Sequence, residues 1–324
     1  MRSLIRYPLT LGVAALLAAC GASQPPIAAA PAGTSLPPGP SGIRPAGWLS
    51  PGAKSPRKSE PVIYVADQDA SEVVVYPETG GAPIGEITDG VIGPYGLFVD
   101  KNGTLYVANE SADTVTAYPA GSTTPSTTWS EDLDNPHYPL VDANGDLFVS
   151  NQGNGTVVEY RSGSTSAAEV LQTQGTQTDG MDFDSQGNLY VAFRTGDQPR
   201  EGGIELFKPG SSQGKVLRMK LNEPQGLIVD SKGRIMVVET GEAHRVNLFR
   251  DKNKRWAFQR IPAPAGATLT QLAIKADESE LFASALGGSV FTSAYPFPVS
   301  GSWSPLLNQS ALIQGIALSN GQTF

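Results

Sequence analysis

Side chains able to bind ions or move protons recur in this chain at nearly fixed intervals. Tyr95, His137 and Asp179 follow one another at 42-residue steps, and Gln225, Thr270 and Gln314 continue the series. A second series, Asp67, Asn109 and Asn151, has the same step and runs on through Phe193 and Glu239 to Ala285. Carboxylate and amide oxygens of mixed charge suit Ca²⁺ or a similar hard divalent cation. Asp67, Asn109, Asn151, Asp179 and Glu239 could supply such oxygens if the fold brings them together. An imidazole among carboxylates can act as a general base, so His137 and Asp179 are the candidates for acid–base work. Polar loop ends that meet water or cap neighbouring strands would have the same composition, and residue type alone leaves both readings open.

Other chemistries have less support. The chain has two histidines, His137 and His244, and one cysteine, Cys20. No His-x-x-x-His or Cys-x-x-Cys spacing occurs, which argues against zinc. The absence of Gly-x-Ser-x-Gly removes a nucleophile elbow. A lone cysteine excludes an intramolecular disulfide. Asp182 stands out in Met181-Asp-Phe183, because the matching positions elsewhere are Phe98, Leu140, Ile228, Ala273 and Ala317. A carboxylate in that setting must be hydrogen-bonded, paired or held at a raised pKa. Bonding to backbone amides is its expected role.

The elements that position these residues are themselves repeated. The aromatic or Met residues Tyr64, Tyr106, Phe148, Tyr190, Met236 and Phe282 are separated by steps of 42, 42, 42, 46 and 46 residues. The clearest copy is Gly96-Leu-Phe-Val-Asp-Lys-Asn-Gly-Thr-Leu-Tyr-Val-Ala108: a first strand, an Asn-Gly turn and a second strand. A third, alternating strand follows at Thr114 to Tyr118, and a weaker fourth near Thr127 to Ser130. Strand-and-turn repeats of this length predict the blades of a β-propeller. Val62 to Ala66 is a second strand with no first strand before it. Gly315 to Gly321 is a first strand and turn with no second strand after it. The two ends complete one blade, giving an all-β, six-bladed propeller closed by its C-terminal strand. Closure removes two exposed sheet edges. Both candidate series then fall on one face, around the mouth of the central channel. Tyr95, His137, Gln225, Thr270, Gln314 and Phe193 would line that mouth. His244 lies in a loop on the same face. The insertion Arg194 to Gly203 would overhang it, either as a gating loop or as inert surface.

The phrases Asp-x-x-Gly-x-Leu-Tyr-Val-Ala and Tyr106-Val-Ala-Asn109 resemble those of the NHL-repeat and gluconolactonase-like six-bladed propellers, over residues 62 to 324. The resemblance implies a divalent cation held by Glu, Asn and Asp side chains at the mouth. It is specific for fold and poor for function, since such propellers host hydrolases, lyases, sensors and interaction platforms.

The ends and composition set the context. Arg2 and Arg6 precede a short apolar run, Leu9 to Leu17, too short for a stable bilayer span. The ending Leu17-Ala-Ala-Cys20 resembles the bacterial lipobox. That implies a signal peptide over 1–19, lipidation of Cys20 and anchorage in the cell envelope. Gly21 in place of Asp favours the outer membrane in a diderm organism. Residues 20–60 are rich in Pro, Ala, Gly and Ser and read as a disordered tether. Residues 61–324 carry the propeller, long enough for one large core. Net charge −8 and pI ≈ 4.9 argue against nucleic acid as a partner. The expected partners are the membrane, through the lipid, and a protein or small molecule at the mouth; the expected state is a monomer. Two functions follow: a binding or scaffolding module without catalysis, or a metal-dependent lactonase- or esterase-like hydrolase.

Overall fold

The computed structural model describes residues 61–196, 201–219, 221–241, 244–252, 255–297, 302–308, 312–319 and 321. The signal segment, Cys20 and the tether lie outside the described residues, as does the tip of the insertion at 197–200.

The strands form six antiparallel sheets of four strands each, and the fourth sheet carries one additional short strand. Each sheet is one blade. The inner strands are Ile313–Leu318 in blade 1, Pro94–Val99 in blade 2, Pro136–Val141 in blade 3, Gln177–Phe183 in blade 4, Pro224–Val229 in blade 5 and Leu269–Ile274 in blade 6. Blade 1 is completed across the termini, as the two half-blades in the sequence require. Ile313–Leu318 pairs antiparallel with Val62–Asp67, in the register Ile63 to Leu318, Tyr64 to Ala317 and Val65 to Ile316.

Period-two alternation places the core between the blades rather than inside one layer. Val62, Tyr64 and Ala66 pack with Leu97, Leu105 and Val107 of blade 2. Their neighbours Ile63 and Val65 point the other way, onto Phe282, Val290 and Leu307 of blade 6. Four further apolar clusters fill the remaining blade interfaces. Each second strand therefore reads as a continuous apolar run, because both of its faces are covered.

The hairpin turns differ in detail from the Asn-Gly expectation. In blade 2 only Gly103 is left-handed (φ 82°), and its N–H bonds Asp100 O at 2.9 Å. The Asp100 carboxylate accepts the N–H groups of Asn102 and Thr104 at 2.8 and 2.9 Å. The Asp thus fixes the turn through its side chain, and Gly is needed at one position only. In blade 6, which lacks the glycine, Glu278 takes the left-handed position (φ 53°).

Candidate functional site

All six inner strands break register near the mouth. In blade 2 the irregularity lies between Pro94 and Leu97, in blade 3 between Pro136 and Tyr138, and in blade 4 between Thr178 and Met181. Blade 5 breaks between Pro224 and Leu227, and blade 6 between Leu269 and Leu272. In blade 1 the break falls between Val65 and Asp67, opposite Ile313 and Ile316. An irregularity of this kind re-aims side chains that regular pairing would send into a blade interface. The residues inside the breaks are Tyr95, His137, Asp179, Gln225, Thr270 and Gln314, the first series identified in the sequence.

These side chains are bonded to one another across the blades. Gln314 Nε2 donates to Gln68 Oε1 at 3.0 Å, and the Gln68 amide donates to Glu110 Oε2. Glu110 Oε1 lies 3.6 Å from His137 Nε2. His137 Nδ1 is 3.1 Å from Asp179 Oδ1. Arg194 closes on the same carboxylate through Nε at 2.7 Å and Nη2 at 3.0 Å. The chain of contacts runs through blades 1, 2, 3 and 4. Tyr95 stacks on His137 with ring centroids 3.8 Å apart and planes 11° apart, and its hydroxyl donates to Gln225 Oε1 of blade 5 at 3.4 Å.

A second layer closes the channel. The residue after each ring member is Gly in four blades. A Cβ at Gly96 would lie 2.1 Å from His137 O, and one at Gly315 would lie 2.0 Å from Tyr95 O. The missing side chain lets adjacent inner strands approach this closely. In blades 3 and 6 the same position holds Tyr138 and Gln271, which cross the channel. Tyr138 donates to the Thr270 carbonyl at 3.3 Å. Gln271 Nε2 donates to Leu97 O at 2.9 Å, while its Oε1 accepts the Ile316 N–H at 3.0 Å.

Three charged groups of the ring are almost fully enclosed, Asp179 at 0%, His137 at 2% and Arg194 at 4% exposed, while Glu110 is part-buried. Burial alone would lower the His137 pKa. Its contacts with Asp179 and Glu110 outweigh that and raise it above the ordinary value. The stabilisation from charged His137 is therefore complete below pH about 6.5 and is lost as pH rises through the higher, folded-state value. His137 Nε2 has no hydrogen-bond partner among the described residues. Burial acts against the Arg194 charge as well, and Asp179 more than offsets it.

The second series is placed differently. Asn109 accepts the Ile92 N–H at 3.1 Å and donates to Gly90 O and to the hydroxyls of Thr114 and Thr116. Asn151 repeats this on the Asp134 N–H, Asp132 O and Thr156. Glu239 accepts the Asn222 N–H at 2.6 Å and holds Arg245 and Asn247. Each of the three clamps the loop entering its own blade. Asp67 accepts the Ala70 N–H at 3.1 Å, and Phe193 is buried against Gly203. Among the described residues, no hydrogen bond or ion pair links Asp67, Asn109, Asn151, Asp179 and Glu239 to one another. Among the described residues, no group of three His, Cys, Asp or Glu side chains is placed to hold a metal ion. The Asp179 carboxylate faces the Arg194 guanidinium, so a cation there would meet a like charge.

The groups that do complete the ring, Gln68, Glu110 and Arg194, each stand one residue beyond the second series. Glu110 follows Gln68 by 42 residues, and Arg194 follows after two such steps. Gln68 and Glu110 lie just past the ends of their second strands, Glu110 in a 3-10 turn over Glu110–Ala112, while Arg194 lies within the longer strand Leu189–Thr195. His244 is exposed and outside the ring, with Nδ1 3.5 Å from Thr268 Oγ1. The insertion extends blade 4 as a hairpin pairing Thr195 with Glu201.

Fold and site together define a six-bladed β-propeller whose channel mouth is closed by its own side chains. No family model and no curated protein matches the chain. Among solved structures it is similar to a chain of a nidogen/laminin complex, with TM-score 0.66 and 16% identity, covering 81% of this chain and 99% of that one. It is also similar to Kuenenia stuttgartiensis hydrazine synthase, with TM-score 0.56 and 14% identity over 72% and 73% of the two chains. At these identities the likeness is one of fold.

Proposed function

We propose that the chain is a lipid-anchored propeller of the bacterial cell envelope, in the outer membrane if the organism is diderm, acting as a binding or scaffolding module. The closed mouth carries this reading. A substrate needs access to reacting groups, yet the ring's imidazole, carboxylate and guanidinium are buried and engaged with each other, and Tyr95 stacks on the imidazole. The same face leaves aliphatic side chains exposed, Ile92 at 52% and Leu286 at 40%. Exposed aliphatics beside a rigid polar ring suit a protein partner. Cys20 would supply the anchor, with residues 20–60 as the tether. More than one acyl chain is needed for lasting attachment.

One observation favours the alternative, a gluconolactonase-like hydrolase. His137 is oriented by Asp179 through Nδ1 and leaves Nε2 without a hydrogen-bond partner. Above its raised pKa the imidazole is neutral, and Nε2 could then accept a proton as a general base.

In intact cells, Cys20→Ser should move the protein out of the membrane fraction or block its processing. A photo-crosslinker at Ile92 should capture one discrete partner, while one at Asn102 in a turn on the opposite face should capture none. A membrane-bound, normally processed Cys20→Ser protein rules out the lipid anchor. Equal capture from both faces, or none, rules out a mouth-face binding role.

A further inference from the structure

Past the Tyr138 and Gln271 crossing, the inner strands enclose a cavity of about 80 Å³ open to water. Its wall includes one side chain from the same register position of each blade: Phe98, Leu140, Asp182, Ile228, Ala273 and Ala317. Each is the cross-strand partner of a repeating aromatic or Met residue, Asp182 facing Tyr190. Five of the six are apolar, and the sixth is a carboxylate only 8% exposed.

Asp182 is held rigidly but has no cationic partner among the described residues. Its Oδ1 accepts the Phe183 N–H at 2.9 Å, and its Oδ2 accepts the Val229 N–H of blade 5 at 2.8 Å. These bonds fix the carboxylate and leave a lone pair on each oxygen. No Lys, Arg or His among the described residues pairs with it, and Asp184 adds a like charge nearby. We propose that this cavity binds a small organic cation, an alkylammonium with a short aliphatic body, through Asp182.

The ammonium would supply the countercharge that the carboxylate lacks, and the aliphatic body would lie against Leu140 and Ile228. Phe98 adds an aromatic wall, which attracts cations where solvent is excluded. A net charge of −8 draws cations toward the protein. A volume of about 80 Å³ holds several waters at the ~10–15 Å³ each requires, so a propylammonium-sized guest fits. Burial raises the Asp182 carboxyl to about 8, the two backbone bonds only partly offsetting it. At neutral pH, cation binding must therefore displace a proton.

The test is calorimetry of n-propylammonium binding to the purified full chain at pH 7, in two buffers of different ionisation enthalpy. The expected result is one site per chain, release of close to one proton per ligand, and affinity that rises with pH and levels off above about pH 8. Asp182→Asn should weaken binding at least tenfold. Ala273→Leu narrows the cavity while leaving Asp182 in place, and should weaken it to a similar degree. It decides the question if Asp182→Asn fails to fold. No binding by the native chain, binding without proton release, or native affinity in the folded variants overturns the proposal.

Discussion

Deleting residues 313 to 324 unfolds the propeller. The strand lost is Ile313–Leu318, the inner strand of blade 1, and it is paired only with the opposite end of the domain. Ile313, Ile316 and Leu318 are 2%, 1% and 3% exposed. Burial of such side chains contributes about 1.5–3 kcal/mol each. Together they are comparable to the roughly 5–15 kcal/mol by which a domain of this kind is stable. The deletion also exposes the edge of Val62–Asp67, and an unprotected apolar edge aggregates. Thermal denaturation should show no cooperative transition in the truncated chain, or one lowered by well over 10 °C. Deleting residues 21 to 50 should leave the transition unchanged. A C-terminal truncation that melts like the intact chain would remove ring closure as a source of stability.

Asp179→Ala has the second large effect. It takes away the acceptor for both Arg194 bonds and for His137. Arg194 is 4% exposed and would become a buried cation without its counter-charge. Breaking one side of a buried pair costs about 3–5 kcal/mol. Removing both partners costs less than the two single losses summed, because neither charge is then stranded. Urea denaturation of Asp179→Ala, Arg194→Ala and the double variant should show this non-additivity, at about 1 kcal/mol or more. Additive losses, or a loss below about 1 kcal/mol for Asp179→Ala, would mean that the buried pair of blade 4 does not stabilise the ring.

The blades could be read from the sequence because the repeat enforces them six times. The step between Tyr64, Tyr106 and Phe148 fixes the strand register, and the half-blades at Val62 and Gly315 demand each other. The mouth could be read by position but not by contact. Tyr95, His137 and Asp179 were identifiable as one series, since the register breaks fall at equivalent points of each copy. Their bonding to one another was not, because it depends on which face each neighbouring strand presents. Residue type alone offers the oxygens of Asn109 and Asn151 as candidate ligands. In space they clamp the loops that carry Ile92 and Asp134. Glu110 and Arg194, one residue further on, turn inward instead. The crossing by Tyr138 and Gln271 depends on glycine at the equivalent points, Gly96 and Gly315 among them, and only the three-dimensional approach of the strands reveals that. Asp182 was visible as an exception to the pattern, and its expected bonding to backbone amides is what the structure shows.

A closed mouth and an active-site mouth differ most directly in turnover. The purified chain should be assayed against p-nitrophenyl esters and aldonolactones, with Ca²⁺ added and with chelator. A mouth sealed by Tyr95, His137, Asp179 and Arg194 predicts hydrolysis no faster than buffer under both conditions. Chelator-sensitive hydrolysis that is lost in a folded His137→Gln variant would contradict it and identify the ring as a catalytic site.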